Sequence, residues 1–158
     1  MSDESTPTAS SAADGKTLVR RYLEDVFSGG NLAAMDDYLA GDKFKQGVAE
    51  LVGRWRTAFS DFRIDVDDAI AEGDRVVTVE VMSGTHDGVY QSRIGPVDPT
   101  GRQVKWSRIA IRILEDGRFV DGFWEEDDLG LLQQMGALSD PTAVADPHHR
   151  DRAAGQTV

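Results

Sequence analysis

Residues 61–85 read DFRIDVDDAIAEGDRVVTVEVMSGT, and the period of the chain changes inside this stretch. Phe62, Ile64 and Val66 alternate with polar residues, the period of a strand with one buried face. Glu72-Gly73-Asp74 supplies a turn, and RVVTVEVMSGT (75–85) resumes the alternation. There Val77, Val79 and Val81 fall on one face and Thr78, Glu80 and Met82 on the other. Two later stretches continue as strands: RQVKWSRIAIRIL (102–114) and, after the turn Glu115-Asp116-Gly117, RFVDGFWEEDD (118–128).

Upstream of residue 61 the apolar residues recur at helical spacing. Leu18, Val19, Tyr22, Leu23, Val26 and Phe27 form one stripe, and Gly29-Gly30 supplies its stop. Asn31 is placed to cap a short second helix, NLAAMDDYLA (31–40). A third, KQGVAELVGRWRTAF (45–59), sets Val48, Leu51, Val52, Trp55 and Phe59 on one side. LGLLQQMG (129–136) reads as a closing helix, with Glu125, Asp127 and Asp128 as acids at its N-terminus. Helices first and strands afterwards give an α+β fold: three N-terminal helices on one face of a mostly antiparallel sheet. Residues 1–13 and 139–158 are expected to be disordered tails, leaving 14–138 as the folded domain.

The length of 158 residues suits one domain with a core. The formal net charge of −11 opposes a nucleic-acid or anionic-membrane partner, since both need a basic footprint. The absence of cysteine removes disulfides, thiol nucleophiles and thiolate metal sites. There is no apolar run of membrane-spanning length and no signal-peptide pattern, so a cytoplasmic location is expected. Metal binding is not expected either: His86 is the only histidine outside the tail, and DVDDAIAEGD lacks the spacing of a calcium loop.

Three segments carry a family resemblance: AFSDFRIDVDDAIAEGDRVVTVEVMSGTHDGVY (58–90), PTGRQVKWSRIAIRILEDGRFV (99–120) and DLGLLQQMGAL (128–138). Their order resembles the nuclear transport factor 2-like (cystatin-like cone) superfamily, and within it the SnoaL-like polyketide cyclases. The resemblance implies a strongly curved sheet and three helices around a cone-shaped pocket. It also implies a homodimer, a polyketide-like small-molecule substrate, and no metal or organic cofactor. It places a catalytic Asp seven residues after the hairpin glycine and a second acid or base seven before it. Those positions are Trp124 and Ala110 here, and neither can transfer a proton near neutrality. The connection AGDKFKQG (40–47) is also shorter than the family's pocket roof.

Strand parity then selects what faces the cone. Trp124 shares a face with Gly122 and Glu126, and Ala110 shares one with Arg108 and Trp106. Arg108 and Glu126 are the expected polar pair of the pocket, the alternative being an ordinary cross-strand ion pair. Glu80 would be a base with a raised pKa if it faces the cone, or one residue of a half-exposed alternation if it does not. Tyr22 lies on a helix resembling the one that presents the oxyanion-hole tyrosine of ketosteroid isomerases, or else is a core tyrosine. His86 is expected at the pocket rim, or as a residue that fixes its loop. Trp124, Trp106 and Trp55 are expected as flat walls, and Ala110 and Gly122 are further substrate-binding candidates. Two functions fit: a cofactor-free cyclase that closes rings by folding its substrate, or a non-catalytic ligand-binding or dimerisation module.

Overall fold

The structure, a computed structural model, describes residues 9–138. Residues 1–8 and 139–158, including His148 and His149, lie outside the described residues. Helix α1 (Ala9–Tyr22) includes residues 9–13, which composition assigns to the tail, and runs directly into a π-turn at Leu23–Ser28. Val19, Tyr22, Leu23, Val26 and Phe27 are all buried, as the 3.6-residue period dictates. Gly30 ends the turn with φ +66°, and a Cβ there would meet Nε of Arg56 at 2.6 Å. Glycine takes that conformation without strain, and a side chain there would have to displace Arg56. Arg56 in turn donates from Nη1 to the Ser28 carbonyl at 2.8 Å, fastening the third helix to the end of the first.

The expected second helix is split. Leu32–Ala34 is a 3₁₀ turn and α2 covers Met35–Tyr38. Asn31 precedes the turn, but its side chain makes no capping hydrogen bond, contrary to expectation. Helix α3 (Asp42–Ala58) buries Val48, Leu51, Val52, Trp55 and Ala58.

Strands β1 (Arg63–Glu72), β2 (Arg75–Thr85), β5 (Gln103–Glu115) and β6 (Arg118–Glu126) form one antiparallel sheet in the order β1-β2-β5-β6. Irregularities in register at Val66/Asp68 and at Ile113/Leu114 bend its outer strands. A separate hairpin, β3 (Tyr90–Ser92) with β4 (Gly95–Val97), was not anticipated from sequence. Helix α4 (Asp128–Met135) is capped by Asp127, whose Oδ1 accepts the Gly130 N–H at 2.8 Å. Glu125 takes no part in the cap: it is exposed opposite Ile109.

The helices cover one face of the sheet, and the core lies between. The opposite face keeps Val77, Val79 and Val81 half-buried beside Ile70, Ile109 and Phe123, which are more than half exposed. Among the described residues no helix is long and apolar enough to cross a membrane.

Candidate active site

Strand alternation builds the cone interior. On β5, Val104, Trp106, Arg108, Ala110 and Arg112 are buried while Lys105, Ser107 and Ile109 are exposed. On β2, Val76, Thr78, Glu80 and Met82 are buried. The register sets three rows across the sheet: Glu80–Arg108–Glu126, Thr78–Ala110–Trp124 and Val76–Arg112–Gly122.

The expected cross-strand pairing of Arg108 with Glu126 holds in the backbone register, but the two side chains form no ion pair. Arg108 turns the other way, and its Nε lies 2.5 Å from Oε2 of Glu80. Arg112 Nη1 lies 2.6 Å from the other oxygen, Oε1. Thr78 completes the network: its hydroxyl donates to Glu80 Oε1 at 2.6 Å and accepts from Arg112 Nη1 at 2.8 Å. All four residues are buried, at 6 % exposure or less.

This corrects the reading of Glu80 as a base of raised pKa. Burial does push its carboxyl upward, and that is the largest single influence. Arg112 and Arg108, with hydrogen bonds from Arg112 and Thr78, together outweigh it and lower the pKa to about 2. Glu80 is therefore a fixed anion that positions two guanidinium groups. Arg112 and Thr78 were missed from sequence. The signal was present, because Arg112 shares its parity with Arg108 and Ala110, and Thr78 shares its own with Glu80.

Beside this network lies a cavity with about 310 Å³ of empty space, its opening included, of which only about 20 Å³ can take the centre of a water molecule. Tyr22, Arg108, Ala110, Arg112, Gly122 and Trp124 line it, together with Phe27 and α3 residues including Phe44. A Cβ at Gly122 would meet the Ile111 carbonyl oxygen at 3.0 Å and the Arg112 Cγ at 3.4 Å, so glycine leaves this part of the cavity lining without a side chain. Trp124 is 38 % exposed and so stands at the mouth. The Arg108 guanidinium carbon is 5.3 Å from the Phe27 ring centre and 5.6 Å from that of Trp124. Nη1 of Arg108 is buried without a hydrogen-bond partner. Tyr22 is 2 % exposed, with Arg112 over its ring at 5.6 Å. Burial raises its pKa to about 12, so it remains a neutral hydroxyl.

Other sequence-selected residues lie elsewhere. Trp55 and Trp106 are not walls of this cavity. Their ring centres are 5.1 Å apart in a closed cluster with Phe59, Phe62 and Tyr90. Stacking of large apolar rings, not ligand contact, accounts for their burial. His86 is not at a pocket rim. It is fully buried beside Phe59, with Nδ1 3.0 Å from the Thr100 hydroxyl. Its carbonyl accepts from Thr100 N–H and Gly101 N–H, so it ties the 98–102 loop to the end of β2. Burial lowers its pKa and keeps it neutral. Glu126 is half-buried, does not line the cavity, and has an unpartnered Oε2. Burial first, then Asp128, raise its pKa to about 7, with Arg108, Arg54 and Arg93 opposing. Among the described residues no three His, Asp or Glu side chains converge as metal ligands.

A sheet wrapped by helices around a one-sided polar interior defines the class: a cone-shaped α+β protein with a narrow hollow at one end of its interior. The model of the family "SnoaL-like polyketide cyclase" matches residues 17–135, and the chain belongs to that family. TsrD from Streptomyces laurentii is 27% identical with a TM-score of 0.68, over 80% of this chain and 97% of that one. A candidate polyketide cyclase from Acidithiobacillus ferrooxidans is 27% identical with a TM-score of 0.67, over 88% of this chain and 100% of that one. IdmH from Streptomyces antibioticus, another candidate polyketide cyclase, shares the fold at 24% identity with a TM-score of 0.64, over 77% of this chain and 98% of that one. No curated protein sequence matches significantly.

Proposed function

We propose that the chain is a cofactor-free, cytoplasmic cyclase that closes a ring in a polyketide-like small molecule, with Arg108 as its polarising donor. The observation that carries this reading is the unpartnered, buried Nη1 of Arg108 beneath the ring of Trp124. A buried cavity donor fixed by Glu80 is preorganised to stabilise negative charge developing on a substrate oxygen. Tyr22, neutral and on the same cavity, is a second donor. With alanine and tryptophan at positions 110 and 124, a pericyclic or oxa-type closure that needs little proton transfer suits the site. Holding a substrate folded can supply up to about 7–11 kcal/mol of barrier lowering. Beyond Phe44 a second hollow has about 800 Å³ of empty space, also open to solvent, next to Asp42, Lys43 and Asp121. The substrate's bulk would rest there, with its reacting end at Arg108 and Phe44 moved aside.

The test is incubation with a panel of uncyclised polyketide intermediates, with products read by mass spectrometry and NMR. Ring closure accelerated by the wild type and slowed at least roughly tenfold (about 1.4 kcal/mol) in a folded Arg108→Ala variant is the expected result. Acceleration that survives the substitution would remove Arg108 from the chemistry.

Ala110 and Trp124 also favour a second reading, a binding module that kept the cone and lost the reaction. Tight binding of a ring-closed product with no acceleration on any substrate would select it.

We further propose a homodimer through the outer sheet face, where Ile70, Val77, Ile111 and Phe123 follow one another across the strands. Ile70 is 62% exposed and Phe123 61%, and an apolar row of that kind calls for a partner. Light scattering should give twice the 17.3 kDa chain mass, and a monomer at high concentration would count against it.

A further inference from the structure

We propose that the arginine end of the cone is a fixed anion site whose ligand binds Arg108 through a delocalised oxyanion, a carboxylate or a 1,3-dicarbonyl enolate, rather than through a neutral carbonyl. The inference deepens the reading of the cone as a small-molecule site and names the class of group that enters it.

Arg108 and Arg112 are two cations, and Glu80 is the one anion they share, through its two separate oxygens. The three residues are at most 6 % exposed, so solvent does little to screen the surplus positive charge. Both oxygens of Glu80 are occupied, and Nη1 of Arg108 is left over with no acceptor.

Nothing else facing the cavity balances the excess. From α1 and its π-turn come Tyr22 and Phe27, and from α3 come Phe44, Val48 and Leu51. Strand β6 contributes Gly122 and Trp124. Glu126 is the nearest acid in register, but it makes no ion pair with Arg108, and its own Oε2 is unpartnered. A neutral carbonyl would satisfy the donor and leave the buried charge uncompensated. An oxyanion satisfies both. The Phe27 and Trp124 rings flank the guanidinium and would cover the flat part of such a ligand.

The experiment titrates the full chain at pH 7 and constant ionic strength, followed by calorimetry and by NMR shifts of the Trp124 indole and Arg108 Nε–H signals. Two pairs of probes differ mainly in charge: benzoate against benzamide, and cyclohexane-1,3-dione, an enolate at this pH, against cyclohexanone. At least one anion should bind tenfold or more tightly than its neutral counterpart, with shifts at Trp124 and Arg108. Binding of benzoate alone points to carboxylic-acid substrates, and of the dione alone to enolates.

Arg112→Met removes one charge of the network. It should weaken the anion tenfold while leaving the neutral probes within twofold. Glu80→Gln adds one uncompensated charge and should tighten the anion. If neither variant folds, the wild-type comparison decides alone. Equal binding of charged and neutral probes, no binding of either anion, or shifts confined to residues outside the cone would overturn the proposal. No turnover is measured, so its failure is separate from that of the cyclase reading. A chain that binds anions but closes no ring keeps the anion site. One that cyclises a neutral substrate and binds neither anion loses it.

Discussion

Strand β5 carries Trp106 toward one end of the cone and Arg112 toward the other, on the same face. Around Trp106 the interior is solid. Trp55 is fully buried there, 5.1 Å from Trp106, 5.4 Å from Tyr90 and 6.0 Å from Phe62, centre to centre. Around Arg112 the same alternation leaves a hollow. Apolar rings fill space by stacking on one another. Two buried arginines sharing one carboxylate cannot do so, because a guanidinium needs acceptors in its plane, and Nη1 of Arg108 has none. Burying such a group is at best neutral for stability when compared with apolar packing. The closed end is thus packed as a core, and the arginine end is where the proposed ligand chemistry would lie.

The sharpest way to break this division is Trp55→Ala. The ring sits at the centre of the closed end, and its removal should cost about 3–5 kcal/mol of unfolding free energy. Urea or guanidinium denaturation measures it. A loss below about 1 kcal/mol would mean that the aromatic cluster does not carry the fold.

Trp124 sits at the open end and should behave in the opposite way. It is 38 % exposed, so Trp124→Ala should cost only about 1 kcal/mol of stability. Its effect on turnover should be larger, since the ring covers Arg108 at 5.6 Å. Trp124→Phe retains a flat face and should keep much of the activity. Steady-state kinetics beside thermal melts separates the two effects. If the phenylalanine variant is folded yet as inactive as the alanine one, the indole N–H has a specific role and the wall picture is wrong.

The strands and their faces were legible in the sequence, because a period of two leaves only two choices at each position. Alternation put Arg108, Ala110, Gly122 and Trp124 on the cone side, and they line one cavity. Parity does not say how far along the cone a residue lies. Trp106 has the same parity as Arg108 but falls in the closed end, and Trp55 joins it from α3. Nor does parity say which partner a long side chain chooses. Arg108 stands between Glu80 and Glu126 in one row, and reaches Glu80, where Thr78 and Arg112 already converge. The β3–β4 hairpin escaped notice because each strand has three residues, too few for a period.

The smallest effect, and the most diagnostic of the boundary between the two ends, concerns Glu126. It lies on edge strand β6, opposite Arg108 and unpaired with it. Burial and Asp128 raise its pKa from 4.5 to about 7. The folded chain therefore holds a proton that the unfolded chain has released over much of the window from pH 4.5 to 7. The stabilising contribution is full below the unfolded value and is lost as pH rises through the folded one. Above pH 7 the ionised carboxylate opposes folding. Glu126→Gln removes that charge, so the variant should be more stable than the wild type at pH 8. The gain should be on the order of 1 kcal/mol, because the side chain is only half-buried and solvent screens it. At pH 4 both forms are largely neutral and the difference should vanish. Urea denaturation of both proteins at the two pH values measures it. The same difference at pH 4 and pH 8 would show that Glu126 ionises as an ordinary surface acid, and the boundary between the closed and polar ends would then lie beyond it, at Arg108.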